Sequence, residues 1–212
     1  MENREFLSTI LMNPVLLAKA NNAGYTKKEL EEGLAMADRF KETNYRWDEL
    51  QAEKSKRYDV YHEAMKTLET VYTQHIAKAR NIFDEEEEKS IWKSLNLQGK
   101  RPDDISGIMD YITKFYSFAQ KDKVISDRFK KRNVSSELVA QMLLLAEEAA
   151  TLRIEALHAA NLAKASTADR DIQKAEFHSW LKAFKAIYKA TPDGQVSVNA
   201  SSKVKSEKAK IS

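Results

Sequence analysis

Two long stretches of this chain contain neither glycine nor proline. They cover residues 34–98 and 108–191, which are 65 and 84 residues. Glycine and proline are the residues that most often end helices and build turns, and β-sandwiches, barrels and doubly wound α/β folds need such turns at short intervals. Stretches of this length are typical of long helices, and the sequence therefore predicts an all-α fold.

Apolar side chains within both stretches recur at alternating spacings of three and four residues. This spacing places them on one side of a helix, where they pack against neighbouring helices of a bundle. We expect two such seams to form much of the core. The first seam contains Tyr58, Tyr61, Met65, Leu68, Tyr72, Ile76, Ala79 and Phe83. The second seam contains Leu138, Met142, Leu145, Ala149, Leu152, Ala156, Ala159 and Ala163.

Capping residues mark the helix ends. Asn13, which stands before a proline, predicts the start of a helix, and Thr26 with Glu29 has the spacing of a capping box. Because residues 51–56 contain no helix breaker, one bent helix over residues 26–82 is an alternative to two helices there. The predicted helices lie near residues 4–12, 14–23, 26–54, 57–82, 84–96, 102–120, 122–132, 135–165 and 168–190.

A short pattern of caps occurs twice in the chain, at an offset of 109 residues. The segment from Asn13 to Leu16 matches the segment from Asp122 to Ile125, with a cap at the first position and apolar residues at the last two. Gly24-Tyr25-Thr26 matches Asn133-Val134-Ser135, which keeps a residue that tolerates the left-handed conformation, an apolar residue and a hydroxyl cap.

This repeat predicts a helical bundle built from two similar units that a pseudo-two-fold axis relates. Each unit is expected to be a short helix pair followed by a long helical hairpin, and the two units, residues 1–97 and 98–194, are expected to pack as one bundle. Residues 195–212 contain four lysines and one glutamate and no aromatic residue. They are predicted to be a disordered basic tail.

The same order of caps, followed by the segment from Ala165 to Asp171 and by Trp180 and Phe184, resembles uncharacterised all-helical bacterial proteins with an internal two-fold repeat. The resemblance covers most of residues 10–190. It implies an all-helical fold, and it carries over no catalytic residue, ligand or activity.

Two pairs of a carboxylate and a histidine have the spacing of metal ligands on a helix. Glu155 precedes His158 by three residues, as Asp59 precedes His62, so each pair lies on one helix face, as in di-iron carboxylate bundles. The pairs do not match each other in the repeat, and the apolar seams leave few inward positions for further carboxylates. These four residues are the candidate metal ligands, although we favour solvated side chains. Whether the two pairs converge is left open.

A basic stretch is the second candidate site, and it consists of Lys121, Lys123, Arg128, Lys130, Lys131 and Arg132. Basic groups on a short helix can contact phosphates, but the helix dipole also favours them at a helix C-terminus. We interpret this stretch as a solvated helix face. Nucleic-acid binding predicts salt-dependent retention on heparin that survives removal of residues 195–212. The acidic residues 84–88 are interpreted as the solvated first turn of a helix.

The function that these observations favour is a non-enzymatic helical scaffold or protein-interaction module. The chain has no cysteine, which excludes thiol catalysis and Cys-ligated zinc, and it has no phosphate-binding or dinucleotide-binding glycine pattern. We predict no catalytic residue and no cofactor, and we expect a protein partner or self-association. A metal-dependent carboxylate/histidine bundle and weak nucleic-acid binding through the basic helix are the alternatives.

The apolar stretch at residues 6–20 bears on where the protein acts. The five residues before it contain two acids and one base, which is the wrong sign for a secretory signal. We therefore expect a cytoplasmic protein that binds no membrane, and a small-molecule ligand is left open.

Overall fold

Helices make up 85% of the residues that the computed structural model describes, which are residues 2–192, and this part of the chain contains no strand. The all-α prediction is confirmed. The predicted tail at residues 195–212 lies outside the described residues. The helices are α1 (Glu2–Met12), α2 (Pro14–Asn22), α3 (Lys27–Ile82), α4 (Lys89–Ser94), α5 (Ile105–Lys121), α6 (Lys123–Lys130) and α7 (Ser136–Ala190).

Helices α3 and α7 are continuous, with 56 and 55 residues. Of the two alternatives for residues 26–82, one continuous helix is confirmed, without a break between residues 54 and 57. The predicted break between residues 165 and 168 is wrong, and the two predicted long hairpins are not formed. Across the first expected break, Arg57 Nε donates to Glu53 Oε1 at 2.6 Å, one helical turn away. Near the second, Ser166 is 8% exposed, and Thr167 Oγ1 accepts a hydrogen bond from Trp47 Nε1 at 3.0 Å. These hydroxyl-bearing residues lie inside a packed helix and do not cap one.

Helix α4 is much shorter than the predicted helix over residues 84–96. The Asp84 carboxylate accepts the backbone N–H groups of Glu86 and Glu87 at 2.9 and 3.0 Å, and this turn stands where the first helical turn was expected. An aspartate that binds the amides two and three residues ahead stabilises a turn in the same way as it caps a helix. The predicted helical first turn at residues 84–88 is therefore wrong.

The caps of the repeated pattern have the predicted local structure. Asn13 and Asp122 each accept hydrogen bonds from the backbone N–H groups two and three residues ahead. Gly24 and Asn133 both have a positive φ, of 86° and 58°, which is the left-handed conformation that glycine and asparagine adopt most easily. The two-fold relation between the two halves of the chain stays a prediction.

The described residues divide into two compact units, each of which contains two or three shorter helices and parts of both long helices. The first unit comprises residues 2–49 and 164–192, with α1 and α2. The second unit is Leu50–Ala163, with α4, α5 and α6. Each compact unit contains residues from both predicted units, 1–97 and 98–194. The division of the sequence into these two predicted units stays a prediction.

The core of the first unit is centred on Phe184, which is fully buried. Its ring stacks on Trp180 with 5.4 Å between the ring centroids and meets Tyr25 edge-on at 4.9 Å. Aromatic pairs in these arrangements contribute beyond the area that they bury. The other buried apolar residues of this core are Leu7, Ile10, Ala20, Leu30, Ala37, Phe177, Leu181 and Tyr188.

The core of the second unit contains the two predicted seams, whose residues are all buried or partly buried. The seam prediction is confirmed. Tyr72, Phe115 and Tyr116 occupy the centre, with the Phe115 ring 5.4 Å from Tyr72 and 5.1 Å from Tyr116, both edge-on. Helix α5 supplies two of these rings, and both contact Tyr72 of α3.

Candidate functional site

A groove of about 400 Å³ runs along α3 and α7 in the second unit. Four of its lining residues are apolar and four are polar or charged, and one of the apolar residues, Ile154, is 69% exposed. Pockets that combine an apolar wall with a few placed polar groups are the usual binding sites of a protein. The residues that line this α3–α7 groove are Leu50, Glu53, Arg57, Ile154, Glu155, His158, Ala159 and Leu162.

Arg57 organises the polar side of the α3–α7 groove. Its Nε donates to Glu53 Oε1 at 2.6 Å, and its Nη1 donates to Glu155 Oε2 at 2.8 Å. The hydrogen bond that Arg57 donates to Glu53, followed by the charges of both carboxylates, raises the pKa of Arg57 above its ordinary value. The pair between Arg57 and Glu155 joins α3 to α7, whereas the pair between Arg57 and Glu53 lies within α3. Glu155 is therefore a partner of Arg57 and holds the two long helices together at this point.

The four candidate metal ligands lie in different places. Glu155 and His158 line the α3–α7 groove, whereas Asp59 and His62 are exposed on α3 and do not line it. The His62 ring lies 5.3 Å from the ring of Tyr61. Within residues 2–192, no group of three or more histidines, aspartates or glutamates is placed to hold a metal ion. The metal alternative stays a prediction, which metal analysis of the purified protein decides.

Arg128 of the basic stretch is used by the fold. Its Nη1 donates to both carboxylate oxygens of Glu88 at 2.6 and 2.8 Å, and its guanidinium lies 5.3 Å from the centre of the Phe83 ring. The Glu88 side chain is only 19% exposed. Lys130 pairs with Asp127 at 3.8 Å on the same helix. The exposed basic side chains that remain are Lys121, Lys123, Lys131 and Arg132.

Replacing Arg128 by alanine is expected to lower the free energy of unfolding by about 1 kcal/mol, since it leaves the partly buried Glu88 carboxylate without its cation. Lys131→Ala, on the exposed side of the same region, is the control and should change it by less than about 0.5 kcal/mol. Urea unfolding of both variants measures the difference. Equal effects would mean that the pair between Arg128 and Glu88 contributes nothing.

A buried polar pair in the second core was not predicted. His75 Nδ1 and Tyr116 Oη are 3.0 Å apart, and these residues are 2% and 0% exposed. Burial lowers the pKa of His75 to about 4 and raises the pKa of Tyr116 well above its usual range. The spacing contained a signal, because Leu68, Tyr72, His75 and Ala79 also follow a 4-3-4 pattern. The pair is enclosed by core side chains, so it is a structural hydrogen bond.

Two further findings bear on function. Within residues 2–192, none of the helices combines the length and the apolar character that crossing a membrane requires. Comparison with known protein families, with curated proteins and with solved structures finds no match to this chain. The function must therefore be argued from the α3–α7 groove itself.

Proposed function

We propose that the protein is a non-enzymatic helical interaction module and that the α3–α7 groove takes up an α-helix of its partner. The observation that carries the proposal is the exposure of apolar residues in a concave site. Ile154 and Leu162 are 69% and 44% exposed, and both line the groove together with Leu50. A single exposed apolar residue is ordinary, but a cluster of them along a groove is typical of a site that binds a helix.

The chemistry of the lining supports binding over catalysis. Glu53 and Glu155 are both engaged by Arg57, and His158 is the third lining group of a kind that commonly transfers protons. The histidine whose pKa burial lowers is His75, which is enclosed in the core. Groups with a shifted pKa in a cleft would favour an active site, whereas a group with a shifted pKa inside the core favours a structural role.

A photo-crosslinking residue in place of Ile154 tests this function. The crosslinking is carried out in the cells that express the variant. The residue at position 154 is expected to form adducts several-fold more often than the same residue in place of Ile172, because apolar contacts at a groove hold a partner within reach. Ile172 also lies on α7 and is 56% exposed, so it controls for chance encounters. Mass spectrometry then identifies the crosslinked segment.

The proposal is supported when the adducts map to a segment with apolar residues at the spacing of a helix, i, i+3, i+4 and i+7. It is overturned when Ile154 yields no more adducts than Ile172, or when the adducts map to extended segments. The mapped segment also identifies the partner.

A further inference from the structure

Helix α7 carries a second stripe with 4-3 spacing besides its buried seam. The stripe lies within the second unit and its six residues are all exposed. An unbroken spacing of four and three residues keeps a stripe on one side of a helix, where it can pack along another helix. The members of this α7 stripe are Leu144, Glu148, Thr151, Glu155, His158 and Leu162.

The α7 stripe is symmetric about residue 153. Leu144 and Leu162 lie nine residues on either side of that position, and both are leucines exposed by 65% and 44%. Glu148 and His158 lie five residues on either side of it and form an acid matched with an imidazole. Thr151 and Glu155 lie two residues away, which matches a hydroxyl with a carboxylate. Any stripe with this spacing is symmetric in position, but here the paired side chains are also chemically complementary, which suits a two-fold interface where residue i of one copy contacts residue j of the other and j contacts i.

We propose that the helix that binds this face is α7 of a second copy of the chain, antiparallel and centred at residue 153. In this arrangement Leu144 of each copy contacts Leu162 of the other, and Glu148 of each copy faces His158 of the other. Ile154, one residue from the centre, packs near its own counterpart. The inference rests on the proposed function, since three residues of the stripe also line the α3–α7 groove.

Cysteine crosslinking tests the register, and the chain is suited to it because it contains no cysteine. Helices rise 1.5 Å per residue, so Leu144 lies about 27 Å from its own counterpart in the antiparallel pair and beside Leu162 of the other copy. The variants Leu144→Cys and Leu162→Cys are each expected to form little disulfide alone. An equal mixture of the two is expected to form several-fold more crosslinked dimer. Rapid self-crosslinking of Leu144→Cys would indicate parallel helices and would overturn the proposal.

Charge exchange between positions 148 and 158 tests the contact in the full chain. Glu148→Lys and His158→Glu are each expected to weaken dimerisation about tenfold. Glu148→Lys removes the acid that faces His158, and His158→Glu places a second carboxylate opposite Glu148. The double variant should restore the dimer, since the lysine of one copy then faces the glutamate of the other. Residues 148 and 158 are too far apart to pair within one helix. Sedimentation between about 1 and about 100 μM measures the dissociation constant.

Exposed residues of the same types on α3, His62 and Glu63, supply the control. The variants His62→Glu and Glu63→Lys should leave the dissociation constant unchanged. A chain that stays monomeric throughout this range overturns the second copy as the partner. If Ile154 then crosslinks to a helix of another protein, the proposed interaction function stands without this inference. If Ile154 yields no adducts above those of Ile172, both fail.

Discussion

Gly33→Ala should lower the free energy of unfolding by about 1–3 kcal/mol, although alanine in a helix is normally more stable than glycine by about 1 kcal/mol. A Cβ atom at Gly33 would lie 2.1 Å from Cη2 of Trp180, far inside van der Waals contact. The indole cannot move aside freely, because it stacks on Phe184 at 5.4 Å and meets Tyr25 edge-on at 6.2 Å. The added methyl group must therefore displace a ring of the first core. Urea unfolding measures the effect.

Removing the indole should reverse the sign of this effect. In the Trp180→Leu background, Gly33→Ala is expected to raise stability by up to about 1 kcal/mol, because only the helix preference of alanine remains. Glu32→Ala, at the exposed neighbouring position, should change stability by less than about 0.5 kcal/mol. An equal loss in the wild-type and Trp180→Leu backgrounds would show that the contact with Trp180 is not the cause.

The stability of the second unit should fall as the pH falls from 6.5 to 4, and His75 should account for about 3 kcal/mol of the loss. In the folded chain, burial holds the pKa of His75 at about 4, against an ordinary value of 6.5. Between these two values the unfolded chain binds a proton that the folded chain does not, so acid favours unfolding. Above pH 6.5 both states are neutral and His75 adds no pH dependence. Below pH 4 both are protonated and the loss stops growing.

His75→Gln tests this assignment, because glutamine does not titrate and its side-chain oxygen can accept a hydrogen bond from Tyr116. Urea unfolding between pH 4 and pH 7.5 should give a flatter profile for this variant than for the wild type. His62→Gln, which replaces an exposed histidine of the same helix, should keep the wild-type profile. Parallel profiles for His75→Gln and the wild type would contradict the assignment to His75.

The predictions that the structure confirms concern neighbours in sequence. The cap at Asn13 depends on backbone groups two and three residues ahead, and the buried seams depend on a repeat of three and four residues. These interactions lie within one helical turn, so composition and spacing specify them. The turn at Asp84 marks the limit of this reasoning, since the same aspartate chemistry stabilises a cap or a turn, and the local sequence does not distinguish the two.

The candidate site was predicted in part. The pair of Glu155 and His158 does line one groove, but the role of Glu155 follows from Arg57, which is 98 residues away in sequence. In the same way, Arg128 was grouped with exposed basic residues, whereas Glu88 binds it from 40 residues away. Helical periodicity shows which side of a helix a residue lies on. It does not show which charge on another helix meets it.

By itself, the sequence determined that the described chain is helical, that Asn13 and Asp122 are caps and which apolar residues form the seams, because each of these depends on residues within about four positions. Only the tertiary structure decided that α3 and α7 continue without a break, that the indole of Trp180 packs against Gly33, and that His75 binds Tyr116. The contacts of Thr167 within α7, of Gly33 and of His75 join residues from different helices. Close packing between helices decides which side chains meet in this way. The preference of a segment for a helix, a turn or a cap does not decide it, because that preference is the same whichever residues of another helix pack against the segment.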